Sequence, residues 1–287
     1  MNTLKHYFSL IKFSHTVFAL PFALIGACLG YRTMAFEQVP WALFVYVILC
    51  MFFARSAAMS FNRFADADID SKNPRTAQRE IPKGVFTRKQ VLWMTILNCL
   101  LFILTTYFIN PLVFYLSPVA LLVILSYSFA KRFTFLTHFW LGLSLSLSPI
   151  GAFLVFTGSF HFLPFPFAFV VLTWVSGFDI IYATQDFSVD HSLGLHSVPS
   201  HFGVGNALII AKILHTLSIS TVVAIGFLIH WHWIYWIAVG VFSLFIILEH
   251  RILNTKKEKS INMAFATMNS YAGMGYGIFA IIALLLS

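Results

Sequence analysis

Trp41-Ala-Leu-Phe-Val-Tyr-Val-Ile-Leu-Cys50-Met-Phe-Phe-Ala-Arg55-Ser-Ala-Ala-Met-Ser60-Phe-Asn62-Arg63-Phe-Ala-Asp66-Ala-Asp68-Ile-Asp70 decides the architecture. Residues 41 to 61 form an apolar run that meets the roughly 20-residue requirement of a bilayer-crossing helix. The run then ends in carboxylates, which such a helix ordinarily avoids. Written as one helix, Asn62, Asp66 and Asp70 recur every fourth residue, so an amide and two carboxylates share a face over about 12 Å while Asp68 points elsewhere. A second stretch, Asp179-Ile-Ile-Tyr182-Ala-Thr-Gln185-Asp186-Phe-Ser-Val-Asp190, repeats that spacing far down the chain, again after an apolar run. These two patches hold six of the ten acidic residues.

The surrounding composition excludes a soluble globular domain. The 287 residues are 59% hydrophobic and 10% charged, with a mean hydropathy of +0.85, whereas a soluble domain carries about a quarter charged residues. Nine apolar segments reach spanning length, near 14 to 34, 41 to 61, 91 to 109, 112 to 130, 136 to 157, 163 to 183, 204 to 229, 231 to 250 and 262 to 286. The expected fold is therefore an all-α polytopic bundle of nine transmembrane helices, one domain over 1–287, with a central cavity. Pro21 suggests a kink in the first span. The first span also lacks the small-residue cleavage site of a removable signal peptide. The three cysteines, Cys28, Cys50 and Cys99, lie within spans and indicate neither a disulfide framework nor a thiolate metal site.

Charge placement orients the bundle independently of hydropathy. On the nine-span map, the N-terminus and the loops after spans two, four and eight take fifteen of the eighteen lysines and arginines. Arg32 alone falls on the other side, and Arg55 and Lys212 fall within spans. This predicts a cytoplasmic N-terminus, an outer C-terminus and acidic patches that both open on the cytoplasmic side. Trp231, Trp233 and Trp236 then sit where an outer aromatic belt is expected. The net charge of +8 suits an anionic lipid surface or a phosphorylated substrate, and nucleic acid is not an expected partner.

The chemistry follows from the residue types. Two carboxylate pairs facing each other across a bundle suit Mg²⁺, which takes oxygen ligands and bridges a few carboxylates to substrate phosphates. Arg75, Arg79, Lys83, Lys131 and Arg132 lie beside them to hold further phosphate oxygens. A site of this kind, opening into an apolar bundle, fits a diphosphate with a lipid tail. The matching reaction is departure of diphosphate from an allylic carbon, with metals stabilising the leaving charge and aromatic rings shielding the cation. Arg55, seven residues before Asn62, reads either as a structural pairing residue or as a partner of the acidic mouth or its ligand. One Asp-x-x-x-Asp alone is ordinarily solvated charge or a cap; two beside predicted spans are not. His191, His196 and His201 lack helical ligand spacing, and Lys212 reads as a snorkelling lysine.

The chain resembles the UbiA superfamily of intramembrane aromatic prenyltransferases. Asn62, Asp66 and Asp70 match its first signature, followed by Asn73-Pro74-Arg75-Thr76 and Arg79-Glu80-Ile81-Pro82; Asp179, Tyr182, Asp186 and Asp190 match its second; Tyr127 and Lys131 match its Tyr-x-x-x-Lys. Lys12-Phe-Ser-His15 through Pro21 and the run Gly177 to Asp186 are most similar to the 4-hydroxybenzoate polyprenyltransferase branch, some members of which serve menaquinone pathways. The resemblance implies Mg²⁺-dependent transfer of a polyprenyl group from its diphosphate to a small aromatic acid, a hydroxybenzoate or a naphthoate. It implies that Asp66, Asp70, Asp186 and Asp190 hold metal with Asn62, and that Arg79 and Lys131 neutralise phosphate. Asp179 would orient or deprotonate the phenol, with Arg55, Arg75, Tyr127 and Tyr182 as further substrate contacts. One departure stands out: basic residues are common just after the second signature, and here His191 and Ser192 stand there.

A cation-coupled transporter is the reading from another class. It calls for carboxylates near the bilayer midplane on interrupted helices, and these lie at one surface beside a cationic loop. The phosphatidyl-alcohol transferases, also acid-dependent membrane enzymes, carry a Gly- and Arg-punctuated motif that is absent here.

Overall fold

In the computed structural model, residues 2–11, 19–229, 231–254 and 257–287 are described, and among them every regular element is helical. A short α1 (Asn2–Leu10) precedes α2 (Leu20–Met34), α3 (Trp41–Lys72), α4 (Arg88–Tyr107), α5 (Pro111–Ala130), α6 (Thr137–Thr157) and α7 (Phe165–Ala183). A single 3₁₀ turn, Thr184–Asp186, leads to the short α8 (Phe187–Ser192). Then follow α9 (Val198–Leu228), α10 (Ile234–Ile252) and α11 (Glu258–Asn262), and a π turn, Met263–Met268, runs into α12 (Asn269–Leu286).

Eight helical stretches among the described residues are long and apolar enough to cross a membrane. They correspond to the second through ninth expected spans. The first expected span lies partly outside the described residues, as does the Lys12 to His15 stretch; its described part is α2. Pro21 sits in the first turn of α2 rather than inside it. There its missing N–H costs nothing, so it marks a start and not a kink.

Length places the acids. At 32 residues α3 is about 48 Å long, well beyond the roughly 30 Å hydrocarbon layer. A helix that enters at Trp41 therefore spends its apolar turns in lipid and carries Asn62, Asp66 and Asp70 on the turns that emerge. α4 begins with a capping box in which Thr87 and Gln90 satisfy each other's backbone amides, and α5 begins at Asn110, whose side chain accepts from Val113. α9 carries a break at Gly203, whose φ of 79° is open to glycine at little cost. Its long straight part therefore starts where the seventh span was expected.

α7 is apolar on nearly every face and is the most enclosed of the spanning helices, packed between α6 and α9. Its Trp174 lies in the main core with Phe22, Phe242, Tyr235 and Tyr276. The two tyrosine hydroxyls meet at 2.9 Å, and Tyr235 also donates to the Val222 carbonyl, so neither is buried without a partner. Trp231 stacks on Tyr235 and joins this core, whereas Trp233 and Trp236 are exposed. Part of the expected aromatic belt is thus packing.

α2 and α6 approach more closely than side chains would allow. A Cβ on Gly26 would clash with the Pro149 carbonyl oxygen of α6. Gly26→Ala is therefore expected to push the helices apart and to cost about 1–3 kcal/mol, seen as a lower midpoint of thermal unfolding in detergent.

Candidate active site

The loop after α3 folds back over the helix end because Asn73 makes a tight turn. Its side-chain oxygen accepts from the Arg75 amide at 3.0 Å, and its carbonyl accepts from Thr76 and Ala77. Thr76 also donates to the Asp70 carbonyl at 3.2 Å. The turn aims Arg75 and Arg79 at different carboxylates. Arg79 takes both oxygens of Asp70 at 2.8 and 2.9 Å. Arg75 crosses to the second acidic stretch, where its Nε and Nη2 grip Asp186 at 2.9 and 2.5 Å as a fork and its Nη1 donates to the Tyr182 hydroxyl at 2.8 Å. Asn73 adds a bond to Asp186 at 2.7 Å.

The missing cation after the second signature is therefore supplied by Arg75, 111 positions earlier in the chain. Burial works against the Arg75 charge. The hydrogen bond to Asp186, with the Asp186 and Tyr182 charges, outweighs it, so the guanidinium is held above its ordinary pKa.

Lys131, at the end of α5, reaches Asp66 at 2.8 Å, and Asn62 donates to the same Asp66 oxygen at 3.0 Å. The Lys131 carbonyl in turn accepts from the His196 amide, which ties α5 to the segment before α9. Asp66 and Asp70 are each only 2% exposed. Asp68 is exposed and pairs with Arg88 at 3.1 Å, away from this cluster, as its position off the shared face requires.

Asp179, Tyr182, Asp186 and Asp190 do not lie on one unbroken helix. The 3₁₀ turn at Thr184–Asp186 separates α7 from α8, and the tighter turn rotates Asp186 and Asp190 relative to Asp179. All four still line the same cavity of about 170 Å³ as Asn62, Asp66, Asp70, Arg75, Arg79 and Lys131. The two distant acidic stretches thus converge. His138, from the first turn of α6, joins them: its Nδ1 lies 2.7 Å from Asp179. Nothing in its sequence neighbourhood marked it, because its partner comes from another helix.

Arg55 is not in this polar cavity. It lines a second, apolar cavity of about 180 Å³, deeper along α3, with Ala58, Val47, Gly151 and Leu145. Tyr127 lines both cavities, so the polar chamber stands directly over the apolar one. Burying five carboxylates opposite three cations is costly unless another charged species enters. The arrangement defines a membrane protein that receives an anionic head in a charged chamber and an apolar chain beneath it.

Comparison with known proteins agrees. Residues 19–271 match the model of the UbiA prenyltransferase family, and the chain belongs to that family. It is a membrane-bound prenyltransferase. It is 28% identical over 282 residues to a 4-hydroxybenzoate octaprenyltransferase of Vibrio parahaemolyticus, covering 97% of each chain. The fold superposes on the apo structure of a UbiA homologue from Aeropyrum pernix with a TM-score of 0.84 and 27% identity, over 93% of this chain and 97% of that one. It also matches a UbiA homologue from Archaeoglobus fulgidus solved with GPP and Mg²⁺, with a TM-score of 0.72 and 19% identity, over 96% and 99%.

Proposed function

We propose that this protein transfers a polyprenyl group from an allylic polyprenyl diphosphate to 4-hydroxybenzoate in quinone biosynthesis. The observation that carries the reading is the convergence of the α3 end and the α7–α8 junction on one chamber above an apolar cavity. The name carried by the Vibrio relative supports the acceptor.

The charges of the chamber favour a metal. Asp66, Asp70, Asp179, Asp186 and Asp190 face Arg75, Arg79 and Lys131, a net charge of −2 across the lining. A diphosphate brings further negative charge and is repelled unless divalent cations accompany it. No three acidic, histidine or cysteine side chains among the described residues are close enough to hold a metal alone. That suits Mg²⁺, which takes one or two carboxylates and completes its shell with phosphate oxygens and water. Asp66, Asp70, Asp186 and Asp190, with Asn62, would hold it; a UbiA homologue from Archaeoglobus fulgidus was solved bound to GPP and Mg²⁺. When bound, Mg²⁺ offsets the charge that develops on the departing diphosphate.

This chain's own residues do the rest. Arg79, beside Asp70, and Lys131, beside Asp66, would bind the phosphate oxygens, and Arg75 orients Asp186. The allylic C–O bond breaks with its electron pair on the diphosphate. The acceptor ring carbon beside the hydroxyl forms the new C–C bond as Asp179 takes the phenolic proton. Loss of the ring C–H proton to diphosphate or water and return of the Asp179 proton to the oxygen restore the aromatic ring. The acceptor's carboxylate meets Arg55 in the apolar wall.

The chamber faces the cytoplasm of a bacterial inner membrane, with the N-terminus cytoplasmic and the C-terminus outside. Fifteen of eighteen basic residues on that side support this. The whole chain acts as one transmembrane domain.

Purified protein incubated with Mg²⁺, a long-chain allylic diphosphate, 4-hydroxybenzoate and a hydroxynaphthoate is expected to give prenylated 4-hydroxybenzoate by mass analysis. Prenylated naphthoate alone would move the assignment to menaquinone synthesis, and no product from any aromatic acid would refute it. Arg55→Met is expected to raise KM for the aromatic acid by about 10-fold or more, leaving KM for the diphosphate near the wild-type value.

A further inference from the structure

Both ring nitrogens of His138 are engaged, and together they fix where its proton sits. The backbone N–H of Val198 points at Nε2 from 3.2 Å, and Asp179 Oδ2 lies 2.7 Å from Nδ1. An amide N–H can only donate, so Nε2 is the unprotonated nitrogen. The single proton of the neutral ring is on Nδ1 and points at Asp179. A second proton on Nε2 would set N–H against N–H and strand the Val198 amide, one of the donors that the first turn of α9 leaves without a helical partner. In this tautomer His138 donates to Asp179 through Nδ1 and accepts from the Val198 amide at Nε2. Its own carbonyl accepts from the Ser176 hydroxyl at 3.2 Å, which clamps the start of α6 to α7.

Asp179 differs from its neighbours in the partner it has. Asp66, Asp70 and Asp186 are each gripped by a lysine or an arginine. Asp179 is met by a neutral donor, and its Oδ1 has no hydrogen-bond partner among the described residues although the side chain is 23% exposed. A guanidinium in the place of His138 would make the carboxylate a poor base. A neutral imidazole orients it by one oxygen without setting a fixed positive charge against it.

We propose that His138 is the positioning residue that holds Asp179 by one oxygen so that the other meets the hydroxyl of the aromatic acceptor. The proposal rests on the acceptor-side reading of Asp179 given above. It places His138, Asp179 and the Val198 amide in one chain of donors and acceptors running from α9 through α6 to the chamber.

The test compares kcat and KM for both substrates in wild type, His138→Leu, His138→Gln, Asp179→Asn and the double variant His138→Leu/Asp179→Asn. A Gln amide carries one donor and one acceptor across a single carbon, as the imidazole does. Loss of Asp179 alignment is expected to lower kcat of His138→Leu about 100-fold, with KM for the allylic diphosphate unchanged. His138→Gln is expected to recover at least about 10-fold of that loss, and the double variant to be no slower than Asp179→Asn.

Wild-type kcat in His138→Leu beside a slow Asp179→Asn overturns the proposal. So do equal deficits in Leu and Gln that multiply with Asp179→Asn, which describe a packing role. Asp179→Asn at the wild-type rate overturns instead the reading of Asp179 on which the proposal stands. Where His138→Leu fails to fold, His138→Phe keeps a ring without either nitrogen and is judged by the same outcomes.

Discussion

Asparagine in place of Asp66 or of Asp186 is expected to lower kcat/KM for prenyl transfer by about 100-fold or more in each case. Either exchange keeps the volume of the side chain and removes one negative charge from the chamber. The Lys131 or Arg75 charge that faced it is then left with a neutral amide in a largely buried setting. The remaining acids hold less divalent cation, and the diphosphate both binds less well and leaves less readily. Asp68→Asn is the internal contrast: Asp68 lies two residues from Asp66 but is exposed and pairs with Arg88 outside the chamber. It is expected to retain the wild-type rate within about twofold, since exposed ion pairs contribute little. Initial rates with a labelled allylic diphosphate measure all three. A full rate in Asp66→Asn would remove that residue from the machinery.

Filling the apolar cavity should separate substrates by chain length. A Cβ on Gly151 of α6 meets no atom within 4 Å, and Gly151 lines the cavity beneath Tyr127. Gly151→Phe therefore projects a ring into open space without displacing backbone. Turnover of a long-chain allylic diphosphate is expected to fall about 100-fold. A two-isoprene diphosphate, whose tail ends nearer the chamber, should keep most of its rate. The ratio of the two rates is the readout. Equal losses for both chains would show that the tail does not occupy this cavity.

The acids were legible in the sequence because helical periodicity acts within one segment. Asn62, Asp66 and Asp70 needed only the fourfold spacing of α3, and the apolar run before them gave its membrane entry. The length of α3 then explained why those residues emerge from the hydrocarbon layer. What joins segments was not legible. Arg75 reaches Asp186 because the Asn73 turn folds the loop back, and no local pattern encodes the distance between α3 and α8. His138 has an apolar neighbourhood, and its role depends on Asp179 and the Val198 amide arriving from two other helices. The 3₁₀ turn before α8 replaced an expected continuous helix face, since its sequence, Thr184-Gln185-Asp186, carries neither Gly nor Pro to announce it.

A second polar network, inside the bundle, was equally silent. Glu249 of α10 is fully buried, accepts from Asn269 at 3.0 Å and lies 3.7 Å from His215, while Asn269 accepts from Trp174 at 2.7 Å. Its members come from four helices, and each reads in isolation as a stray polar residue in an apolar run. Asn269 also donates to the Ala264 carbonyl in the π turn, so the network ties that irregular segment to α7 and α10.

The central claim is that both acidic stretches serve one diphosphate through shared Mg²⁺. Calorimetric binding of a non-reactive thio analogue of a short allylic diphosphate tests it most directly, measured with and without Mg²⁺ in wild type, Asp66→Asn and Asp186→Asn. Tight binding in wild type only when Mg²⁺ is present, lost alike in both variants, is the predicted result. Mg²⁺-dependent binding at wild-type affinity in either variant would contradict a shared site.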